Sequence, residues 1–299
     1  MRQTRVVVVG SANMDLVATA EALPRPGETR LGTDFVTVPG GKGANQAIAA
    51  ARAGAASVFL GAIGSDAFGV TLRARITAAG VDASQLRTTY GASGVALVMV
   101  NAAGENAILV TPGANTSFTE LTETELAAVR DADVLVAQLE IPVETVTAAA
   151  VAARAAGTRV VLNAAPAVPL PPELLAAVDL LVVNENEAQA YTGRGREEPR
   201  ALLDLVARAV LTLGAEGAWY GDRDGTAVHV PAVTVDTVDS TAAGDAFTGA
   251  LAVAWGEGRD LVDAVRWASA AGAACVRRLG ASVSLPHRVE IDKLYVPGP

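Results

Sequence analysis

The sequence predicts an α/β fold: a mostly parallel sheet with helices on both faces, and a small antiparallel flap at one side. Three observations carry this expectation. Short β-branched runs recur without polar alternation, as in strands buried on both faces. Ala-rich stretches of helical length separate them, the rhythm of repeated strand–helix units. Two segments break that rhythm with strand-like patterns and no room for a crossover helix.

The elements follow in order. Residues 6–9 are four valines ending at Gly10, a first buried strand. Residues 57–61 read as the next, followed by a helix over 67–79 that stops at Gly80. A strand at 134–137 precedes a helix at 143–156, closed by Gly157. Further buried strands are expected at 160–163, 180–184 and 210–213, and a last helix at 246–255. The flap comes from residues 15–38, which carry Pro24, Pro26 and Gly27, and residues 93–111, which fold around the turn Asn101-Ala102-Ala103-Gly104. A flap of this kind can cover a site and exclude water. The expected organisation is one catalytic domain over 1–299, with a lid formed by 15–38 and 93–111. Residues 193–199 read as an exposed loop.

Composition narrows the function. The 299 residues carry a formal charge of −9, which argues against a broad phosphate-binding face for nucleic acid. A small anionic ligand needs only local donors and stays open. Mean hydropathy is +0.34, yet no apolar run approaches the roughly 18 residues of a membrane span. The valines after residues 1–5 are too short a run for a leader core. Cys275 is alone and cannot form an internal disulfide, and His229 and His287 are too few for most zinc sites. The expectation is a cytoplasmic protein without membrane or nucleic-acid partners.

Three glycine-rich or polar turns could carry chemistry. Asp239-Ser240-Thr241-Ala242-Ala243-Gly244-Asp245 opens the last helix. Small residues there let backbone approach a ligand, and a helix start points free N–H groups outward. Asp245 in the first turn could take a proton from a hydroxyl while those amides hold a phosphoryl group; alone, the pattern is equally a plain helix cap. Pro39-Gly40-Gly41-Lys42-Gly43-Ala44-Asn45-Gln46-Ala47 opens another Ala-rich helix. It lacks the Ser/Thr after lysine of a Walker A loop. Lys42 is one of two lysines, with Lys293, in a chain that otherwise uses Arg. Lys42 and Asn45, three apart, can face one turn. Third, Gly10-Ser11-Ala12-Asn13-Met14-Asp15 follows the first strand, where open sheets place ligand-binding loops. Asn13 and Asp15 suit vicinal sugar hydroxyls, or form a simple polar turn. Glu140, Asn184-Glu185-Asn186-Glu187 and Thr212-Leu213-Gly214-Ala215-Glu216-Gly217 also follow strands.

Taken together, these residues resemble the ribokinase family of PfkB-type carbohydrate kinases. The resemblance runs in order along nearly the whole chain. Gly10-Ser11-x-Asn13-x-Asp15 is similar to the family's sugar-binding turn, the 40–47 segment to its first signature, and Ala242-Ala243-Gly244-Asp245 to its second. Asn184-x-x-Glu187 resembles the magnesium and phosphate motif, and Thr212-x-Gly214-x-x-Gly217 the nucleotide loop.

The resemblance implies a ribokinase-like three-layer αβα sandwich with a β-lid, a homodimer paired through that lid, and ATP-dependent phosphorylation of D-ribose at its 5-hydroxyl. It implies that Asn13, Asp15, Gly41, Lys42, Asn45 and Glu140 hold the sugar and that Asp245 is the base. The amides of Ala243, Gly244 and Asp245 then form an anion hole. Asn184, Thr212, Gly214, Gly217 and Ser269 lie along the nucleotide, with Mg²⁺ on the phosphates and Glu187 acting through water. A monovalent cation, K⁺, is implied at Asp239, Thr241, Cys275, Arg278, Gly280 and Ser284. Four departures stand out: Ser240 replaces the usual Thr, Glu216 puts an acid in the nucleotide loop, Ser269 replaces a larger residue, and the stretch 192–213 is short. A same-fold kinase for deoxyribose, a ketohexose or adenosine, or a silent sugar-binding regulator, are the alternatives.

Overall fold

The structure is a computed structural model and describes residues 2–298. Met1 and Pro299, the two ends of the expected 1–299 domain, lie outside the described residues. Fourteen strands are described: β1 (Arg5–Val9), β2 (Asn13–Thr19), β3 (Asp34–Gly40), β4 (Ala56–Leu60), β5 (Ala62–Gly64), β6 (Arg87–Thr89), β7 (Gly94–Val100), β8 (Asn106–Thr111), β9 (Val134–Ala137), β10 (Arg159–Asn163), β11 (Leu180–Asn184), β12 (Arg208–Thr212), β13 (Ala218–Asp222) and β14 (Ala227–Val230). The helices are α1 (Lys42–Arg52), α2 (Ala67–Ala78), α3 (Glu123–Arg130), α4 (Val143–Ala156), α5 (Pro172–Ala177), α6 (Glu185–Thr192), α7 (Ala243–Gly256), α8 (Leu261–Cys275) and α9 (Arg288–Leu294).

Eight strands make the main sheet in the order β14-β13-β12-β11-β10-β9-β1-β4. The pairs from β4 through β12 are parallel, and β13 and β14 close one edge antiparallel. The valine run of β1 explains the layering. Val6 and Val8 enter one core with residues of α1, α7 and α8, while Val7 and Val9 enter the other with residues of α3, α4 and α5. Alternate side chains of one strand thus serve two helical layers, so no position can be polar without cost. The expected α/β sandwich is borne out.

A four-stranded sheet, in the order β3-β2-β7-β8, rises beside it. Its outer pairs are antiparallel, but the inner pair β2–β7 is parallel, which follows from the long excursion through α1, β4 and α2 between those strands. The turn expected at 101–104 joins β7 to β8: Gly104 (φ +81°) donates to the Asn101 carbonyl at 3.0 Å, and the Asn101 side chain accepts from Ala103 and Glu105. Several boundaries shift by a residue, and three differences bear on the site. Asn13 and Asp15 lie within strand β2 rather than in a turn, so they share one face at a spacing of two. The last strand before the nucleotide turn is Arg208–Thr212, not 210–213. Helix α7 starts at Ala243, three residues before the expected 246, because Ala242 already turns the chain at φ +61°. The short 192–213 stretch holds two 3₁₀ pieces, Gly195–Glu197 and Pro199–Asp204. Among the described residues no helix is long and apolar enough to cross a membrane.

Candidate active site

Two helix starts meet at the carboxyl ends of the parallel strands. Helices α1 and α7 pack closely because Gly249 leaves room: a Cβ there would lie 2.6 Å from the Ala49 methyl and 2.8 Å from the Gln46 carbonyl. That approach sets the first turn of α1 beside the first turn of α7. Asn45 Nδ2 donates to Asp245 Oδ2 at 3.0 Å, and Gln46 Nε2 donates to Asp245 Oδ1 at 2.9 Å. Burial is the largest influence on Asp245 and raises its pKa; Lys42 and the two amide donors oppose it, and Glu140 adds to the rise.

The turn before α1 is seated on the β1–β2 connection. Gly41 adopts φ +90°, and a Cβ there would meet the Asn13 nitrogen at 2.6 Å. Glu140 ties the two together: its Oε2 accepts from Ser11 Oγ at 2.5 Å, from the Lys42 amide at 3.2 Å and from Asn13 Nδ2 at 3.4 Å. Asn13 Oδ1 accepts from Asn115 Nδ2 at 2.7 Å. Asp15 completes this end. Its pKa is pushed up to about 7, first by burial and then by Glu140 and Asp245, with Lys42 pulling the other way. For Lys42, burial favours the neutral amine, but Asp245, Glu140, Glu187 and Asp15 outweigh it and hold the ammonium's pKa above its ordinary value.

A cavity of about 220 Å³ opens beside these groups, lined by Lys42, Asn163, Asn184, Glu187, Thr212 and Asp245, with Gly244 also on its wall. The start of α7 supplies donors. Among the described residues, the N–H groups of Gly244 and Asp245 have no acceptor in the protein, whereas the Ala243 N–H donates to the Ser240 carbonyl at 3.2 Å. Two of the three expected anion-hole amides are therefore free, and the third must leave Ser240 to join them. A larger hollow of about 510 Å³ lies at the opposite, amino ends of β11 and β12, beside Arg154, Asp179 and Arg208, away from these carboxylates.

The remaining expected residues divide. Asn184 and Glu187 reach the cavity but also cap α6 mutually, Glu187 Oε2 accepting from the Asn184 amide at 2.8 Å and Asn184 Oδ1 from the Glu187 amide at 2.9 Å. Burial raises the Glu187 pKa against the pull of that cap and of Lys42. Gly214, Gly217 and Ser269 are not on the cavity wall. Gly217 is required by packing, since a Cβ there would lie 2.1 Å from the Val230 carbonyl. Ser269 turns its hydroxyl onto its own helix, 2.9 Å from the Val265 carbonyl. Glu216 pairs with Arg196 at 2.6 Å on the surface, so it does not project inward toward a phosphate.

The residues matched to a monovalent cation come together behind α7. Asp239 accepts from the Thr241 amide and hydroxyl at 2.9 and 2.6 Å and from the Gly280 amide at 2.9 Å. Cys275 Sγ lies 3.1 Å from Ser284 Oγ, and Arg278 donates to the Ser284 carbonyl at 3.1 Å. Gln46, Asn115, Gln138 and Asn163 were not among the expected site residues. Asn163 and Gln138 end or follow β10 and β9, the same signal that marked Glu140 and Asn184.

Comparison with known proteins agrees with this geometry. Residues 3–288 match the family model described as pfkB family carbohydrate kinase. The ribokinase of Bacillus subtilis is 38% identical over 97% of this chain and 98% of its own length. That of Haemophilus influenzae is 36% identical over 97% of both chains. The structure of Arabidopsis thaliana ribokinase complexed with ribose and ATP superposes with a TM-score of 0.92 at 33% identity, covering all of both chains.

Proposed function

The chain belongs to the pfkB family of carbohydrate kinases, and we propose that it transfers the terminal phosphoryl group of ATP to the 5-hydroxyl of D-ribose, giving D-ribose 5-phosphate and ADP. One observation carries the proposal. Asp245 stands between a polyol-suited group, formed by Asn13, Asp15, Asn45 and Glu140, and a cavity wall bearing Asn184, Thr212 and two free helix amides. The relative that superposes at TM-score 0.92 is a complex with ribose and ATP.

In this reading Asn13, Asp15, Asn45, Glu140 and Lys42 hold the sugar, with Gly41 allowing its close approach. Asp245 accepts the 5-hydroxyl proton as that oxygen attacks the terminal phosphorus. A buried carboxylate with a raised pKa is a stronger base, and Lys42 opposes that rise by favouring the charged form. The Gly244 and Asp245 amides, joined by Ala243 once it leaves Ser240, stabilise charge on the phosphoryl oxygens. Asn184 and Thr212 border the nucleotide; Gly214, Gly217 and Ser269 lie outside the cavity and touch only its outer parts.

The residues present fit two ions. Glu187 has one carboxylate oxygen engaged by the Asn184 amide, leaving the other for a water on Mg²⁺, which neutralises phosphate charge when bound. Asp239 and the Thr241 hydroxyl beside it supply hard oxygen donors of the kind K⁺ takes, while the Ser284 carbonyl is engaged by Arg278; the ion would order the 239–245 loop. The lid carries a surface for a second copy. By register Asp15, Val17, Val36, Val98, Ile108 and Val110 share a face, and Val36, Ile108 and Val110 on it are exposed. We assign this face to a homodimer.

Asp245→Asn tests the base. Asn45, whose Oδ1 has no partner, can turn its amide to meet the new side chain, so the site survives the change. The expected result is a kcat lower by about 10²–10⁴-fold with ribose still bound in calorimetry. Turnover near that of the parent protein removes Asp245 from the role.

A further inference from the structure

We propose that Gln46 is a positioning residue for the transfer, the link through which a fixed main-chain carbonyl dictates that an N–H, never an oxygen, is aimed at Asp245 Oδ1. The inference deepens the reading of Asp245 as base and rests on it.

The chain of contacts has one direction. The Val182 carbonyl can only accept, so Asn163, donating to it from Nδ2 at 3.2 Å, must turn Oδ1 the other way. Asn163 Oδ1 then requires a donor and takes Gln46 Nε2 at 2.9 Å. The same Nε2 carries a second hydrogen, which goes to Asp245 Oδ1 at 2.9 Å. Gln46 Oε1, left behind, accepts from Gln138 Nε2 at 2.6 Å. A side-chain amide is normally free to flip. Here a flipped Gln46 would set its oxygen against Asn163 Oδ1 and Asp245 Oδ1 and its nitrogen against Gln138 Nε2, all with Gln46 and Gln138 fully buried.

Two features show that the arrangement serves Asp245 and not only the core. Gln138 Oε1 is buried with no partner, so the chain leaves one of its own groups unsatisfied while the carboxylate receives its donor. Gly10 is the residue that permits it, since a Cβ there would lie 1.9 Å from that oxygen. Asn45, the other donor to Asp245, has an unpartnered Oδ1 and no such constraint. Gln46 is therefore the donor that cannot turn away.

The test is the pH dependence of kcat/KM for ribose in Gln46→Leu, alone and in an Asp245→Asn background. The other charged or titratable groups facing Asp245 stay in place: Lys42 from α1, Asp15 from β2, Glu140 after β9 and Cys275 from α8. Losing the donor raises the pH at which Asp245 ionises. The acid limb moves to higher pH and kcat at neutral pH falls about 10- to 100-fold, the range for a hydrogen bond to a charged group. In the Asp245→Asn background the same change has no further effect on kcat. An unmoved acid limb, or an equal loss in both backgrounds, overturns the inference. Should Gln46→Leu fail to fold by circular dichroism, Asn163→Leu breaks the link to Val182 and is judged by the same two readouts. The outcomes separate the two claims: a fully active Asp245→Asn defeats the base, while an inactive one beside an unmoved Gln46→Leu profile defeats only the positioning role.

Discussion

Asp15 holds a proton up to about pH 7 because it is buried beside two other acids, Glu140 and Asp245, with only Lys42 to offset them. An unfolded Asp ionises near 3.8, so between that pH and 7 the folded state binds a proton that the unfolded chain does not. Stability tied to this group is present in full below the unfolded pKa and is lost as pH rises through the folded one. Such strain is expected of a carboxylate kept ready for sugar hydroxyls, which donate to its charged form. Asp15→Asn should raise Tm more at pH 8 than at pH 5, with a gain of roughly 1–3 kcal/mol at the higher pH once solvent screening is allowed for. The same variant should lose ribose binding. Paired thermal melts and a ribose titration check both, and a gain independent of pH would show that Asp15 is not the strained acid. The residue types at positions 13, 15, 42, 45 and 245 were legible in the sequence because each falls in or just after a short glycine-rich or polar run at the start of a strand or helix. Gln46, Gln138 and Asn163 were not, since their roles come from amides of three separate segments meeting in space. Ser269 entered by the resemblance alone, which said nothing of a hydroxyl that turns back on its own helix.

Elements place these residues. Helix α1 begins without a side-chain cap, and α7 begins at an alanine in left-handed conformation. The α7 start therefore leaves main-chain donors at the site, whereas the first amides of α1 are taken by the Glu140 carboxylate and by Ser11. The sequence marked both turns but misjudged where α7 starts, because small residues at 242–244 look like loop when the helix is already under way. The lid sheet raises a different question. Its outer strands β3 and β8 are unpaired edges and carry, on the face just described, Val36, Ile108 and Val110 at 47, 57 and 45% exposure. Bare apolar edges are an aggregation hazard for a monomer, and burial against a second lid removes it. The parent protein should sediment as a dimer, and Val36→Glu with Ile108→Glu as a monomer. Equal sedimentation of the two would refute pairing through this face.

At the scale of the whole molecule, strand order does the assembling. β1 sits between β4 and β9, so the loop after β1 meets the loop after β9, and Ser11 finds Glu140. The alternation of strands and helices predicted the layers. It did not predict this order, which depends on long-range pairing that no local pattern encodes. The net charge of −9 also has a consequence: a negatively charged nucleotide is not drawn in by the general field, so in the proposed reaction local donors such as the free amides of α7 have to hold it. In the proposed reaction a pentose and ATP meet over Asp245. Incubating the protein with ATP, Mg²⁺, K⁺ and a panel of ribose, deoxyribose, a ketohexose and adenosine, and identifying the phosphorylated product by phosphorus NMR, tests it most directly. The expected result is ADP release matched mole for mole by D-ribose 5-phosphate, with ribose the preferred acceptor. Phosphate appearing on another acceptor in preference to ribose, or on none, would contradict it.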